Sequence, residues 1–232
     1  MYLRASYEPL HQRLYPDRQS ADLFPILRLD QLDAAGPEYR GRLNIELGRE
    51  AATLFLLAAI ALAVSRNIRE WWAAFMIAFG IWDVFFYLFL LVQIGWPSSF
   101  FEWDLLFLLP VPWTGPVLAP LVVAFAMVVA GVATFWRESA DRSVRMASRH
   151  LLAILGGGIL VVLAFCWDFR IIMSGGLPDA FNWPLLVTGL LLGVIAWLHA
   201  LRLPARANHQ GEDSLPGRAE PEAELLEIAD HD

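Results

Sequence analysis

The sequence contains no lysine, so arginine supplies all 17 of its basic residues, and it has a single cysteine, Cys166. One cysteine excludes an internal disulfide framework and a cysteine-rich metal site. Charge is scarce as well, because only 18% of the 232 residues are charged while 57% are hydrophobic. This composition is typical of a membrane protein and excludes a soluble enzyme or a nucleic-acid binder as an interpretation of the whole chain.

Long apolar runs dominate the middle of the chain. They predict helices at residues 43–64, 71–92, 117–135, 151–173 and 183–201. At ~1.5 Å per residue each of them is long enough to cross a bilayer. We therefore predict an all-α fold, an integral membrane bundle of about five transmembrane helices over residues 43–203. Residues 1–42 form an N-terminal tail, and the acidic residues 204–232 are expected to be disordered.

The stretch from Phe100 to Pro120 has a different character from the five predicted spans. It is too apolar for a solvated loop, and its prolines exclude a full transmembrane helix. Irregular backbone exposed to hydrocarbon would leave amides unpaired. Two structures remain open, an interfacial segment or a re-entrant hairpin buried against the bundle, between the second and third helices.

Arginine predicts the orientation of the bundle. Eight arginines fall in the connections at one end: Arg66, Arg69, Arg137, Arg142, Arg145, Arg149, Arg202 and Arg206. The connections at the other end hold Arg170 alone, and the six arginines of the N-terminal tail are offset by equal acid. The positive-inside bias therefore predicts a cytoplasmic C-terminus and an extracytoplasmic N-terminus.

Several acids fall inside the predicted spans, where ionisable groups are costly and often functional. Measured from the cytoplasmic edge, Asp83 lies about 18 Å deep, Glu50 about 21 Å, Asp168 about 26 Å and Glu46 about 27 Å. Glu102 and Asp104 approach from the outer side, and Arg49 and Arg170 lie at similar levels. If these helices face one another, they form an outward-opening acidic pocket that attracts cations, protons or an amine-bearing ligand.

A purely structural role for these acids is the alternative. Glu46 and Glu50 flank Arg49 at helical spacing and would neutralise it, while Asp168 and Arg170 lie near a helix end. Glu102 and Asp104 would then cap a short interfacial helix. Asp83 is different, because it is the sole charge in its apolar run and must be protonated, paired or facing water.

Glycines and histidines give weaker signals. Gly189 and Gly193 have GxxxG spacing and Gly156 to Gly158 are consecutive, which favours close helix packing within the monomer or in a dimer. His150 and His199 lie near the cytoplasmic ends of adjacent helices, where paired histidines could ligate a haem. Because arginines surround them at the interface, we expect both to reach water or lipid phosphate, and we predict no cofactor and no metal.

The central pattern of the chain carries a resemblance. Phe79-Gly-Ile-Trp-Asp-Val-Phe-Phe-Tyr87, followed by Gly95-Trp-Pro, Glu102-Trp-Asp and the proline-rich run from Pro110 to Pro120, resembles a group of uncharacterised bacterial multipass membrane proteins. The resemblance covers about the first three helices and implies no activity. It implies a bacterial protein, for which we expect the inner (cell) membrane as the location.

Three functions remain open from the sequence. We favour a non-enzymatic subunit or binding protein that contacts the lipid bilayer and a membrane protein or a second copy of itself. The first alternative is a small cation- or proton-coupled transporter that uses Asp83. The second is an intramembrane enzyme acting on lipid, with Glu102, Asp104 and Asp83 as acid-base groups.

The predicted orientation is tested by labelling single cysteines from outside the cell. In a Cys166→Ser background, a cysteine at Asp179 should react with an impermeant thiol reagent and one at Ser139 should not, because the arginines after Ser139 hold that connection in the cytoplasm. Equal labelling of both positions, or labelling of Ser139 alone, contradicts the orientation.

Overall fold

A computed structural model describes residues 37–140, 146–174 and 178–202. The acidic C-terminal tail, most of the N-terminal tail, and Arg142 and Arg145 lie outside this part of the chain. The described elements are six helices and two short strands: α1 (Pro37–Val64), α2 (Ile68–Ile94), β1 (Trp103–Phe107), β2 (Trp113–Pro116), α3 (Leu118–Ser139), α4 (Ser148–Cys166), α5 (Phe169–Met173) and α6 (Trp183–Arg202).

Within the described residues, five helical spans are long and apolar enough to cross a membrane, which agrees with the predicted number. Large apolar side chains cover the outside of the described bundle, including Phe55, Val92, Phe125 and Leu152. Soluble proteins rarely expose so much contiguous apolar surface. The helical architecture and this surface fit an integral membrane bundle.

The connection between α1 and α2 is a tight turn, as predicted. Asn67 precedes the first turn of α2, and its side-chain oxygen accepts hydrogen bonds from the amides of Arg69 and Glu70, both at 3.0 Å. Such an N-cap pairs amides that have no partner within the helix. At the far end Gly95 terminates α2 in the left-handed region, with φ at 67°, a conformation that glycine adopts without steric cost.

The segment between α2 and α3 is an antiparallel β-hairpin, so the prediction that it does not form a spanning helix is confirmed. β1 pairs with β2, and the register shifts between Leu105 and Phe107. Amides of Val117 and Leu118 extend the pairing by donating to the carbonyls of Glu102 and Phe100. The hairpin corrects the all-α prediction in one respect, since β-bonding here pairs amides that proline prevents from forming a helix.

The hairpin packs against the bundle at the end where α4 ends and α6 begins. Trp103 and Trp113 lie against an apolar cluster of Ala119, Ala164, Phe165, Phe181 and Leu186. Trp113 stacks on Phe165, with ring centroids 6.3 Å apart. Of the two structures left open by the sequence, the hairpin buried against the bundle is therefore the one that forms.

The predicted fourth helix is not continuous. α4 ends at Cys166, and residues after Trp167 and Asp168 form the separate short helix α5. The amide of Ser174 donates to the carbonyls of Arg170 and Ile171, which ends α5. The apolar run from 151 to 173 did not show this break, because both helices have the same apolar composition.

Glycines set the helix pairs within the monomer. Gly80 and Gly131 bring α2 and α3 together, and Gly157 and Gly189 do the same for α4 and α6. A Cβ on Gly157 would lie 2.5 Å from the carbonyl oxygen of Gly189, and a Cβ on Gly189 would lie 2.7 Å from that of Gly157. Small residues of this kind allow the close backbone contact that replaces a hydrophobic driving force in membranes.

The α4–α6 contact gives a stability prediction. Gly157→Ala or Gly189→Ala should lower stability by about 1–3 kcal/mol, because the methyl group would overlap a backbone oxygen that cannot move alone. Gly158→Ala is the matched control, since a Cβ there meets nothing within 4 Å. Thermal unfolding in detergent measures the difference. Equal unfolding temperatures for Gly157→Ala and Gly158→Ala would show that this contact does not limit packing.

Candidate functional site

The buried face of α2 carries two polar residues, Asp83 and Tyr87. Buried residues of α2 recur at intervals of three, four or seven positions: Ala73, Gly80, Asp83, Tyr87 and Leu90. This spacing places them on one side of the helix. Asp83 therefore lies in line with the residues that contact the rest of the bundle, and it does not face lipid.

Asp83 is buried without a hydrogen bond. Its exposed fraction is 6%, and within the described part of the chain no donor lies at hydrogen-bond distance from its carboxylate. Asp104, on the hairpin, is close enough to interact with it electrostatically. A second buried acid adds repulsion when both groups are charged, and desolvation already disfavours a charge at such a position.

The contact between α2 and α3 at Gly80 shows where Asp83 lies along this helix pair. Gly80 contacts the backbone of Ala124 in α3, and Asp83 is one turn further toward the end where α3 begins. The start of a helix carries a partial positive charge from its unpaired amides. Asp83 therefore lies near the beginning of α3, and no hydrogen bond between them is present among the described residues.

Asp104 is held in place by two donors. The hydroxyl of Tyr87 donates to Oδ2 at 3.0 Å, and the amide of Leu105 donates to Oδ1 at 2.9 Å. Asp104 is only 2% exposed. Tyr87 lies one turn beyond Asp83 on the same face of α2, so the hydroxyl fixes the hairpin acid close to the helix acid.

Glu50 of α1 also binds the hairpin, at the amide of Leu108. Both carboxylate oxygens accept from the amide of Leu108, at 3.2 and 3.1 Å, and Glu50 is buried. Leu108 follows β1 directly, where strand pairing has ended. A charged acceptor at this point pairs an amide that the ladder leaves without a partner.

The other acids of the predicted pocket have different surroundings. Glu102 accepts hydrogen bonds from the amide and hydroxyl of Ser98, which closes the turn before the hairpin. Asp168 is half-buried beside α5, and its electrostatic neighbour is Asp179. Glu46 lies one turn before Glu50 in α1, and its side chain is outside the described part of the structure.

The two predicted partner bases are both exposed. Arg49 lies on the surface of α1, beside the buried Glu50. The Arg170 guanidinium carbon is 5.7 Å from the ring centroid of Phe169. Among the residues described, Arg170 forms no ion pair with an acid of the predicted pocket. The structure thus places Asp83 of α2 close to Asp104 of the hairpin, and Glu50 of α1 binds the same hairpin at Leu108.

The residues that organise the acids are not evident from the sequence. Tyr87 was seen only as part of an aromatic pattern, although its spacing of four from Asp83 places both on one helix face. Glu70 and Glu138 are also buried, at the opposite end of the bundle. Arg66 donates to both carboxylate oxygens of Glu70, and Arg69 lies 3.9 Å from Glu138.

The histidines also differ from the expectation. His150 is buried rather than directed to water, and its ring contacts His199. In the described ranges, no group of three or more histidine, cysteine or acidic side chains is arranged to hold a metal ion. The contact of the two rings leaves no space between the nitrogens for a haem iron.

Comparisons with known proteins add no family to this description. No family model, no curated protein and no solved structure matches the chain. The interpretation of the acids therefore depends on their geometry.

The bond between Tyr87 and Asp104 predicts a measurable coupling. Tyr87→Phe should lower stability by about 1–3 kcal/mol, because a buried carboxylate loses a donor. In an Asp104→Ala background the same substitution should cost much less, since the acceptor is absent. Thermal unfolding of the four proteins in this cycle measures the coupling.

Thr188→Val is the control for loss of a hydroxyl. The Thr188 hydroxyl donates at 2.7 Å to the carbonyl of Pro184 on an exposed face of α6, and its removal should change stability by less than about 0.5 kcal/mol. A cost for Tyr87→Phe that is the same with and without Asp104 would contradict the assigned bond.

Proposed function

We propose that this protein is a multi-pass integral membrane protein that acts as a non-enzymatic subunit or binding protein. Its site is Asp83 with Asp104, between α2, the beginning of α3 and the hairpin, and its ligand is a small cation, the proton included. The observation that carries the proposal is that Asp83 is nine-tenths buried and has no hydrogen-bond donor among the described residues.

A cation follows from the energetics of two adjacent buried acids. A carboxylate removed from water needs a counter-charge, a proton or hydrogen-bond donors. Without them, its burial costs on the order of several kcal/mol of transfer free energy. Tyr87 and Leu105 supply donors to Asp104 alone. A bound cation would satisfy Asp83 and relieve its repulsion with Asp104.

The orientation of the site follows from the arginines. Arg66, Arg137, Arg149 and Arg202 all lie at one end of the described bundle, opposite the hairpin. We place that end in the cytoplasm by the positive-inside bias, and the N-terminus outside. Asp83 and Asp104 then lie buried in the outer half of a bundle in a bacterial inner membrane. The exposed apolar surface of the bundle contacts the lipid bilayer and is available to a membrane partner or a second copy.

The proposal predicts cation-dependent stability that requires Asp83. In buffers of constant ionic strength, replacing a bulky organic cation by Na⁺ or Ca²⁺, or lowering the pH, should raise the unfolding temperature of the native protein, because a ligand of the folded state stabilises it. Asp83→Asn should fold, remain monodisperse and lose this response. Asp179→Asn, a change at an exposed acid, should keep it.

The controls separate a site from a packing role. A response in Asp83→Asn equal to that of the native protein removes Asp83 from the site. Aggregation of Asp83→Asn, with normal behaviour of Asp179→Asn, would instead show that Asp83 is a structural acid. Asp104→Asn provides a second variant, because its amide still accepts a hydrogen bond from Tyr87 while the charge is absent.

The two other functions considered from the sequence have distinct readouts. A cation flux into proteoliposomes that Asp83→Asn abolishes would assign the site to a transporter. Turnover of a lipid by the purified protein would assign it to an enzyme. Binding without flux or turnover is the result expected for a subunit or binding protein.

A further inference from the structure

Two histidines connect α4 and α6 at the end of the bundle opposite Asp83. His150 lies in the first turn of α4 and is buried, whereas His199 lies in the last turn of α6 and is exposed. Their rings are tilted, with centroids 5.0 Å apart. Nε2 of His150 lies 2.9 Å from Nδ1 of His199, which is the distance of a hydrogen bond.

A third group determines which nitrogen carries the proton. The amide of Ala147 points to Nδ1 of His150 at 3.2 Å. A backbone amide always donates, so Nδ1 of His150 is the acceptor and its proton is on Nε2. That Nε2–H donates to His199, whose own Nδ1 must then be unprotonated. The two hydrogen bonds form one chain in which the amide of Ala147 donates to His150 and His150 donates to His199.

We propose that the His150–His199 pair is a proton-sensitive latch between α4 and α6. An additional proton on His150 must go to Nδ1, where it would face the amide of Ala147 and remove that bond. When both rings carry an additional proton, Nδ1–H of His199 faces Nε2–H of His150, and the bond between the helices is removed. Neither ring gains a proton in this geometry without the loss of one bond.

Several charged side chains lie at the same end of the bundle as the histidine pair. Arg149 precedes His150 and acts on it electrostatically, and Arg202 ends α6 three residues after His199. From α3, Arg137 donates to the carbonyl of Leu201 at 2.6 Å. Glu138, the acid of α3 at this level, is directed to Arg69 of α2. Among the described residues, Arg149 is therefore a charged group whose electrostatic interaction with His150 the structure shows.

Opening the latch leaves α6 attached to α3. The indole nitrogen of Trp197 donates to the hydroxyl of Thr134 at 2.9 Å, and Arg137 holds Leu201. Neither of these two contacts involves a histidine. Acidification on this side should therefore separate the end of α6 from the beginning of α4 while the contact of α6 with α3 persists.

The direction of the hydrogen-bond chain is tested by nitrogen NMR of the imidazole rings. Histidine-labelled protein in nanodiscs at pH 8 should show His150 and His199 both protonated at Nε2 and unprotonated at Nδ1. His150→Gln and His199→Asn identify the two signals. A proton on Nδ1 of either ring at this pH contradicts the assignment and removes the basis of the latch.

The opening is tested by a distance between two spin labels. Cysteines replace Leu152 of α4 and Leu198 of α6, which are both exposed, in a Cys166→Ser background. Between about pH 8 and pH 5, the range in which histidine ordinarily changes charge, the distribution of distances should lengthen or broaden, and it should recover when the pH is restored.

A variant without titration provides the matched comparison. In His199→Asn the amide oxygen takes the place of Nδ1 and still accepts from His150, but it does not gain a proton in this range. This variant should show a much smaller change with pH, whereas His209→Asn should behave as the native protein. An unchanged distance in the native protein, or the same change in His199→Asn, overturns the proposal.

Discussion

Backbone amides buried away from water must find acceptors, and this requirement is met at the hairpin by carboxylates. The amide of Leu108 has left the strand ladder and is paired by Glu50 of α1, and that of Leu105 is paired by Asp104 itself. A re-entrant segment can exist in a bundle only if such groups are satisfied. The acids thus tie the hairpin to α1 and α2, and Asp104 is carried to the vicinity of Asp83.

Glu50 and Asp104 have an evident structural role, whereas Asp83 does not. Glu50 and Asp104 each accept backbone hydrogen bonds, and Tyr87 adds a donor to Asp104. Asp83 receives no comparable interaction in the described structure, although it is as buried as Glu50. A fold that places a buried acid without a hydrogen bond beside a second acid retains a costly feature, which is why we assign a ligand to this position rather than a packing role.

Polar contacts at the other end of the bundle connect the two helix pairs that glycine packing forms. Gly80 and Gly131 join α2 to α3, while Gly157 and Gly189 join α4 to α6. Contacts between these two pairs are sparser and include the bonds of Trp197 with Thr134 and of Arg137 with Leu201. The pairs are therefore connected at this end by a few directional bonds.

The sequence was sufficient to predict the five spans, because long apolar runs have few alternatives to a spanning helix. The sequence also predicts that the prolines prevent a spanning helix between Phe100 and Pro120. It does not predict a hairpin, because the hairpin depends on distant partners such as Glu50, which lies 58 residues before Leu108. Likewise, depth along a helix placed Asp83 and Asp168 in the same half of the membrane. Depth does not specify which face a side chain occupies, and the structure gives these two acids different neighbours.

Tyr87 and His150 show what a single sequence does not reveal. Each was part of a recognisable pattern, an aromatic run and a basic helix end. Their roles arise from a bond to a residue on another element, Asp104 for Tyr87 and His199 for His150. Helical spacing identifies residues that share a face with Asp83, but the identity of the partner across the interface requires the packed structure.

Infrared difference spectroscopy tests the central claim, that the Asp83 carboxyl group changes its state when a cation or proton binds. Spectra of the reconstituted protein before and after addition of the cation, or after a step in pH, report the carboxyl and carboxylate bands directly. We predict a carboxyl signal that is present in the native protein and in Asp179→Asn and is absent from Asp83→Asn. A difference spectrum that is the same in the native protein and in Asp83→Asn would contradict the assignment of a cation site to Asp83.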